Sequence, residues 1–549
     1  MAGSRPLKTV QSPAIKTGKD ARQLKDKIQG RQSRELVIAF SGPVGSGITS
    51  VVEHFKQCVA SNGYAVHVVK LSEKIKDAYK QISANSPEDL KNWHKDIYDI
   101  DVDDLSGYDR FDKLQDLGDF LRTKYEPDIL AQYAITDIVL YRANLARDEY
   151  NERVNAGDID GDKTDLATFT VEDFVPPKTV YLIDQLKNPA EVALLQDIYG
   201  DLYYLIGTLC SEEERKQNLQ RELLSEENAR KVMFRDRKEE ETCGQQLEKT
   251  LKYADYFIRN TEADSEHLKK TINRFINIIH NAGVITPTAD EHAMYIAHSA
   301  ALKSACLSRQ VGASITNQSG QILATGCNDV PKFAGGLYTA DDSPDLRCYN
   351  KGNICYNDDY KRRHIRHEIE TVLNKHKVKN SSDVIESIFT DTRIKDLLEF
   401  SRSIHAEMDA ITSLARTGSA STYDCILYTT TYPCHNCARH IIAAGIRRVV
   451  YIEPYEKSLA LELHGEAISS DTESDYKVIF THFEGVAPRK YQDFFLSNMD
   501  RKEPNTGKGI LNEEFELKPK IHPYLDSYRT LESRVAGHFQ ENTFAPKDD

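Results

Sequence analysis

Cys434 and Cys437 stand three residues apart directly after Pro433, and the triplet His405-Ala406-Glu407 opens the preceding helical stretch. No other feature restricts the chain as much. Two cysteines at i and i+3 lie on one face of a first helical turn. The positive partial charge of a helix start favours the thiolate forms that bind metal. One imidazole and two thiolates make a three-ligand zinc site with a fourth position left for water. Glu407, two residues past His405, is not needed as a ligand and is free to move protons.

A lone C-x-x-C reads as structural zinc, and a lone H-x-E arises by chance. In this order, each at a predicted helix start, they form the H-x-E…P-C-x-x-C pattern of zinc deaminases. Zinc in such a site makes hydroxide available near neutral pH. Resemblance to that pattern implies attack at C4 of cytosine with loss of ammonia, with Glu407 passing protons from the water to N3 and to the leaving group.

The flanks narrow the reading. Ser308-Arg309-Gln310-Val311-Gly312-Ala313, then Gly326-Cys327-Asn328, then the two metal motifs resemble the deoxycytidylate deaminase family over roughly 288–485. The resemblance implies a cytidine deaminase-like α/β/α three-layer domain with a five-stranded sheet, a free deoxycytidine nucleotide (dCMP or dCTP) as substrate, Asn328 on the substrate sugar, and a homo-oligomer. The chain departs from the compact pattern in a polar insertion at 330–400. That insertion holds Cys348, Cys355, His364 and His367, residue types able to take a second, structural zinc with Cys306 or Cys327. Their irregular spacing favours unmetallated residues, and the insertion could instead shape specificity or bind an effector nucleotide.

A second motif lies near the start. The apolar run Leu36–Phe40 enters Gly42-Pro43-Val44-Gly45-Ser46-Gly47-Ile48-Thr49, followed by a helical stretch to about Ala60 and a strand at Tyr64–Val69. This β-loop-α-β unit opens a parallel α/β sheet. Gly42, Gly45, Ser46, Gly47 and Thr49 fit a phosphate-binding loop, with Ile48 where the lysine is expected. Thr49 could reach Mg²⁺, and Asp184, ending the apolar strand Thr179–Asp184, is placed like a Walker B acid. The domain resembles P-loop nucleotide kinases, with the arginines of 215–237 in the place of a lid. It is expected to bind a second nucleotide or to regulate, without the lysine that aids phosphoryl transfer. A P-loop kinase-like domain ahead of a deoxycytidylate-type deaminase resembles bacterial antiphage deoxycytidine nucleotide deaminases, which implies depletion of dCTP and dCMP during infection.

At 549 residues the chain exceeds a single core. The expected division is a flexible basic arm (1–34), the P-loop domain (35–262), the deaminase domain (286–488) and a C-terminal extension (489–549). A net charge of −14 speaks against wrapping nucleic acid, leaving only the arm, with Lys8, Lys16, Lys19, Lys25 and Lys27, for such contact. No membrane-spanning run or secretory signal is seen, so the cytoplasm is expected, where dispersed cysteines do not imply disulfides. Two competing functions remain: a polynucleotide cytidine deaminase, which needs a basic, aromatic channel, and a nucleotide sensor with vestigial chemistry.

Overall fold

The computed structural model describes residues 34–93, 97–159, 165–166, 174–237, 246–260, 265–455, 458–470 and 476–496, with short pieces at 502, 505–508, 528–529, 532–533 and 536–537. The basic arm up to residue 33 lies outside them.

The first sheet contains β1 (Glu35–Ser41), β2 (Ala65–Lys70), β3 (Thr179–Asp184), β4 (Tyr203–Leu209) and β5 (Tyr256–Arg259), in the order β5-β4-β1-β3-β2, all parallel. Central β1 is apolar along nearly its whole length because helices cover both faces. Leu36, Ile38 and Phe40 pack toward helices Ile48–Ser61 and Ser265–Ile279. Val37 and Ala39 face the opposite core, which includes residues of helices Leu71–Asn85, Gly107–Lys124 and Ile129–Ala156.

The second sheet contains β6 (Gly312–Thr316), β7 (Ile322–Cys327), β8 (Ile426–Thr431), β9 (Arg448–Glu453), β10 (Ile468–Ser469) and β11 (Val478–His482), in the order β10-β11-β9-β8-β6-β7. The β6–β7 hairpin runs antiparallel to β8, and the remaining pairs are parallel. Thr288 and Glu291 form a capping box at the start of helix Ala289–Ala301 on one face. Helices Ala406–Thr417 and His435–Ala443 contribute to the core on the other. Two glycines allow close packing: a Cβ on Gly312 would lie 1.9 Å from the Ala297 carbonyl oxygen, and one on Gly326 would lie 2.2 Å from that of Ala406.

The two sheets interleave rather than simply follow one another. β12 (Gly485–Val486) leaves the second sheet and pairs antiparallel with β5, becoming the sixth strand of the first. Two residues are too few to show a periodic signal, so the sequence gives no warning of this strand. Glu484 and Glu291 fasten the crossing: Glu484 accepts from the Arg259 N–H at 3.0 Å and the Thr271 hydroxyl at 2.9 Å, and Glu291 accepts from Arg274 at 2.6 Å and the Val486 N–H at 2.9 Å. Farther on, buried Glu532 pairs with Arg142, which also donates to Glu35 at the start of β1. The 489–549 stretch, unpatterned in sequence, thus contributes to the first sheet's surroundings. No helix of the described residues is long and apolar enough to cross a membrane.

Candidate metal centre and active site

His405 is the N-cap residue of helix Ala406–Thr417 and Cys434 that of helix His435–Ala443, reached directly from β8. Neighbouring β-strand and hairpin packing brings the two helix starts together. His405 Nδ1 lies 3.3 Å from Cys434 Sγ and 3.4 Å from Cys437 Sγ. A tetrahedral zinc with bonds of about 2.05 Å to nitrogen and about 2.3 Å to sulfur places such ligand atoms about 3.5 Å apart, so the donor set fits zinc. This is the one group of three or more such ligands within reach of a single ion among the described residues. The contacts to the Cys437 thiol and to His405 hold the Cys434 thiol far below its usual pKa, while the same coupling, with burial, pushes Cys437 up. The cluster therefore carries thiolate character before any ion is counted.

Glu407 is 4% exposed, and burial raises its carboxyl pKa while His405 opposes the shift. It lines, with His405 and Cys434, a cavity of about 320 Å³. Asn328 lines the same cavity, and its side chain is engaged with backbone: Oδ1 accepts the Val311 N–H at 2.7 Å and Nδ2 donates to the Arg309 carbonyl at 2.9 Å. It clamps the turn before β6, leaving one N–H and one lone pair for a ligand. Tyr432 and Tyr455 add aromatic wall, with the Arg309 guanidinium 5.5 Å from the Tyr455 ring centroid. A metal-ligand trio, a buried acid and a walled cavity together suit hydrolysis of a small flat substrate.

Residues 287–453 match the family described as the cytidine and deoxycytidylate deaminase zinc-binding region. The chain is 31% identical over 169 residues to the deoxycytidylate deaminase of Enterobacteria phage T2, covering 30% of this chain and 80% of that protein. It belongs to the deoxycytidylate deaminase family. The deoxycytidylate deaminase of Enterobacteria phage T4 is 30% identical over 170 residues, covering 30% of this chain and 78% of that protein. The crystal structure of dCMP deaminase from the cyanophage S-TIM5 in apo form aligns at 20% identity over 36% of this chain and 100% of that one, with a TM-score of 0.21. Membership makes this chain a cytidine-type deaminase, a hydrolase acting on nucleotides, with a zinc-binding His/Cys/Cys set.

Among the described residues the other candidate ligands form no second group of three within reach of one ion, although Cys306, Cys348 and Cys355 line the same cavity. Cys348 lies beside Arg402 and Cys355 beside Ser308, both lining the active-site cavity. His364 stacks on Tyr360, and His367 sits exposed on helix Arg366–Lys375. Cys306 is near Ser403, and Cys327 is buried at the end of β7.

The glycine turn adopts the left-handed backbone its sequence suggests, with φ of +82° at Gly45 and +71° at Gly47, which starts helix Ile48–Ser61. Its polar groups are taken from within the chain. The Val44 N–H donates to Asp236, and Lys187 donates to the other oxygen of that carboxylate and to the Gly42 carbonyl. Arg215 donates to the Val44 carbonyl, Asn218 to that of Gly45, and Asn260 to that of Ser46. Of the expected lid arginines, Arg215 is buried beneath the turn, and Arg235 pairs with Asp112, Asp116 and Asp119. Ile48 is buried in the core, Thr49 is exposed, and the Ser46 hydroxyl is buried with no partner among the described residues. Asp184 ends β3 beside β1, its carboxyl pKa raised by burial against the pull of Lys70 and Lys187. Asp236, Lys187 and Asn260 were not singled out by sequence, since each is an ordinary residue far along the chain from the turn.

Proposed function

We propose that the protein hydrolyses the exocyclic amine of a free deoxycytidine nucleotide, dCMP or dCTP, yielding the deoxyuridine nucleotide and ammonia. The observation that carries this reading is the convergence of His405, Cys434 and Cys437 beside buried Glu407 on one cavity. Zinc, when bound, supplies a water acidified toward neutral pH. Glu407 would take a proton from the attacking water and place it on N3 as C4 is attacked, then take the proton of the hydroxyl formed at C4 and place it on the amine, which leaves as ammonia while the C4 carbonyl forms. Asn328 offers its remaining N–H and lone pair to the sugar, and Tyr432 and Tyr455 confine the base. Exclusion of bulk water by the cavity walls strengthens each of these contacts.

The first sheet carries the regulatory part of the proposal. A glycine turn with isoleucine in the lysine position does not favour phosphoryl transfer. Nucleotide binding there, with Mg²⁺ at Thr49 or Asp184, requires a phosphate to replace the Asp236 carboxylate. Nucleotide-controlled deamination would deplete dC nucleotides in defence against phage, in a homo-oligomer located in the cytoplasm. The deciding experiment incubates zinc-loaded protein with dCMP, dCTP, CMP, CTP and single-stranded DNA, with and without ATP and dTTP, and follows uracil formation. Turnover of a deoxynucleotide is expected. No turnover of any free nucleotide, or faster turnover of the DNA, rejects the reading.

A further inference from the structure

A second cavity, of about 630 Å³, lies where the two sheets meet. Pro43 of the glycine turn, Arg215, Met233 and Leu247 wall it on the first sheet's side. Tyr451, Phe480 and His482, from β9 and β11, wall it on the other. The matched deaminase region spans 287–453, so the first group of residues lies outside it. Tyr432 and Tyr455 line this cavity and the active-site cavity alike. The two sides join closely: the Tyr451 hydroxyl meets His482 Nε2 at 3.1 Å, and the His482 ring sits beside the Cys210 backbone just past the end of β4.

The lining suits a flat, uncharged ligand. The Tyr432 ring crosses that of Tyr451 at 4.8 Å and 89° and that of Phe480 at 5.4 Å and 61°, so the three hold one another in a rigid aromatic wall. The Tyr432 hydroxyl is buried with no hydrogen-bond partner among the described residues, a costly state that the polar edge of a ligand would relieve. The Tyr451–His482 pair adds a second polar point. Cations bordering the space are already engaged: Lys216 and Arg230 each pair with Glu226 at 2.8 Å, and Arg215 donates to the Val44 carbonyl. Glu212, Glu213 and Glu248 line the same space and oppose an added phosphate. A largely apolar cavity of this size between two structural units, with a few polar points, has the form of a small-molecule site.

We propose that this inter-sheet cavity is a ligand site separate from the deaminase centre, taking an uncharged planar heteroaromatic ring (a purine or pyrimidine base, free or as its nucleoside) against the tyrosines, with its polar edge toward the Tyr432 hydroxyl and the Tyr451–His482 pair. Such a ligand touches both sheets at once, so its binding adds to their docking. Its contact with Tyr432 falls two residues before Cys434, which carries the effect to the metal-bearing helix start. No phosphate is needed, which sets this site apart from the glycine turn.

The test titrates full-length, zinc-loaded protein by calorimetry with adenine, adenosine, thymine and thymidine, and with AMP and dTMP. Saturating dUMP is present throughout, so that the deaminase cavity is occupied first. At least one uncharged probe is expected to bind at one per chain, about tenfold or more tightly than its monophosphate. The better of base and nucleoside identifies how much of the sugar the cavity admits. Leu461 and Ser470 are exposed residues of the lining, and Leu461→Trp or Ser470→Trp fills the space without removing a core contact. Each should weaken binding of that probe by about tenfold or more. Tyr451→Phe, which deletes one hydroxyl, should weaken it by about threefold to tenfold. Melting temperature and dUMP affinity report whether the tryptophan variants are folded with the deaminase cavity intact. Where one of them melts early the other is read, and where both do, Tyr451→Phe decides. The proposal is overturned if none of the four uncharged probes binds beside dUMP, if the folded variants bind like the parent, or if the monophosphates bind as tightly as the uncharged probes. Binding is read rather than turnover, so failure of the deaminase reading and failure of this one are told apart.

Discussion

The Asp236 carboxylate accepts the Val44 N–H at 2.6 Å, so the position where a glycine turn of this shape receives an anion is filled by the chain's own side chain. Lys187, 8% exposed at its side chain, neutralises it at 2.6 Å. Asp236→Ala should leave a buried ammonium without its carboxylate, at a cost of about 3–5 kcal/mol, and should free the turn. Melting temperature is then expected to drop, and inorganic phosphate or ATP should restore more of it in the variant than either adds to the parent. An equal response in the two proteins would show that Asp236 does not hold the anion position.

Gly326 sets how closely β7 meets the helix that carries Glu407. An added methyl would sit 2.2 Å from the Ala406 carbonyl oxygen and 2.4 Å from the Ala410 nitrogen, both backbone atoms that have little room to retreat. Gly326→Ala should therefore destabilise by about 1–3 kcal/mol and shift His405 and Glu407 relative to the two cysteines. Deaminase activity should fall well beyond the share of molecules unfolded. Calorimetry beside kinetic assays checks this, and a variant with parental melting and kcat contradicts the packing argument.

The metal ligands and Glu407 should separate cleanly by experiment. Cys434→Ser should lose bound zinc, measured by elemental analysis, together with activity, and strong chelation should inactivate the parent until zinc is returned. Glu407→Gln should retain a full complement of zinc and lose about 10²–10⁴ of kcat, the range expected when a general acid–base is removed. Retained turnover in Glu407→Gln would remove it from the proton path.

Buried His280 and half-buried His482 set an acid limit on stability. Burial lowers His280 to about 4 and His482 to about 3, and His280 is held between the Tyr64 hydroxyl and the Ile276 carbonyl. An unfolded histidine binds a proton near pH 6.5. Below that value the unfolded chain takes up protons that the folded one refuses, so stability falls as pH drops from about 6.5 toward 4 and is unaffected by these groups above it. Melting temperatures between pH 7 and 5 should fall less steeply in His280→Gln than in the parent. Parallel slopes would show that His280 does not titrate as described.

What could be read in advance was local. The metal set is an i, i+3 cysteine pair and an adjacent His-x-Glu, each tied to a helix start, and Thr288 and Glu291 announce their helix by spacing alone. Strands β1, β3 and β4 are visible because burial on both faces makes them nearly continuously apolar. The partners of the glycine turn were not legible: Val44 and Asp236 are 192 residues apart, and nothing local marks either. The insertion's share of the cavity lining was hidden for a different reason. Helix Arg366–Lys375 buries none of its residues, so the insertion reads as solvated loop, and Lys361 stands out only once the chain has folded back over Glu407. The arginines of 215–237 were visible as a group, whereas their division between supporting the turn and pairing with Asp112, Asp116 and Asp119 depends on tertiary placement.

Strand β11 lies two strands from β8, whose end delivers Cys434, and only residues 483 and 484 separate it from β12 in the other sheet. That short span works as a strut. A rotation of the sheet bearing the glycine turn would pull on β11 through backbone hydrogen bonds, without passing through the longer connection between residues 260 and 288. Events at either end thus share a stiff mechanical route, and cutting the longer connection alone would leave the two halves hooked together.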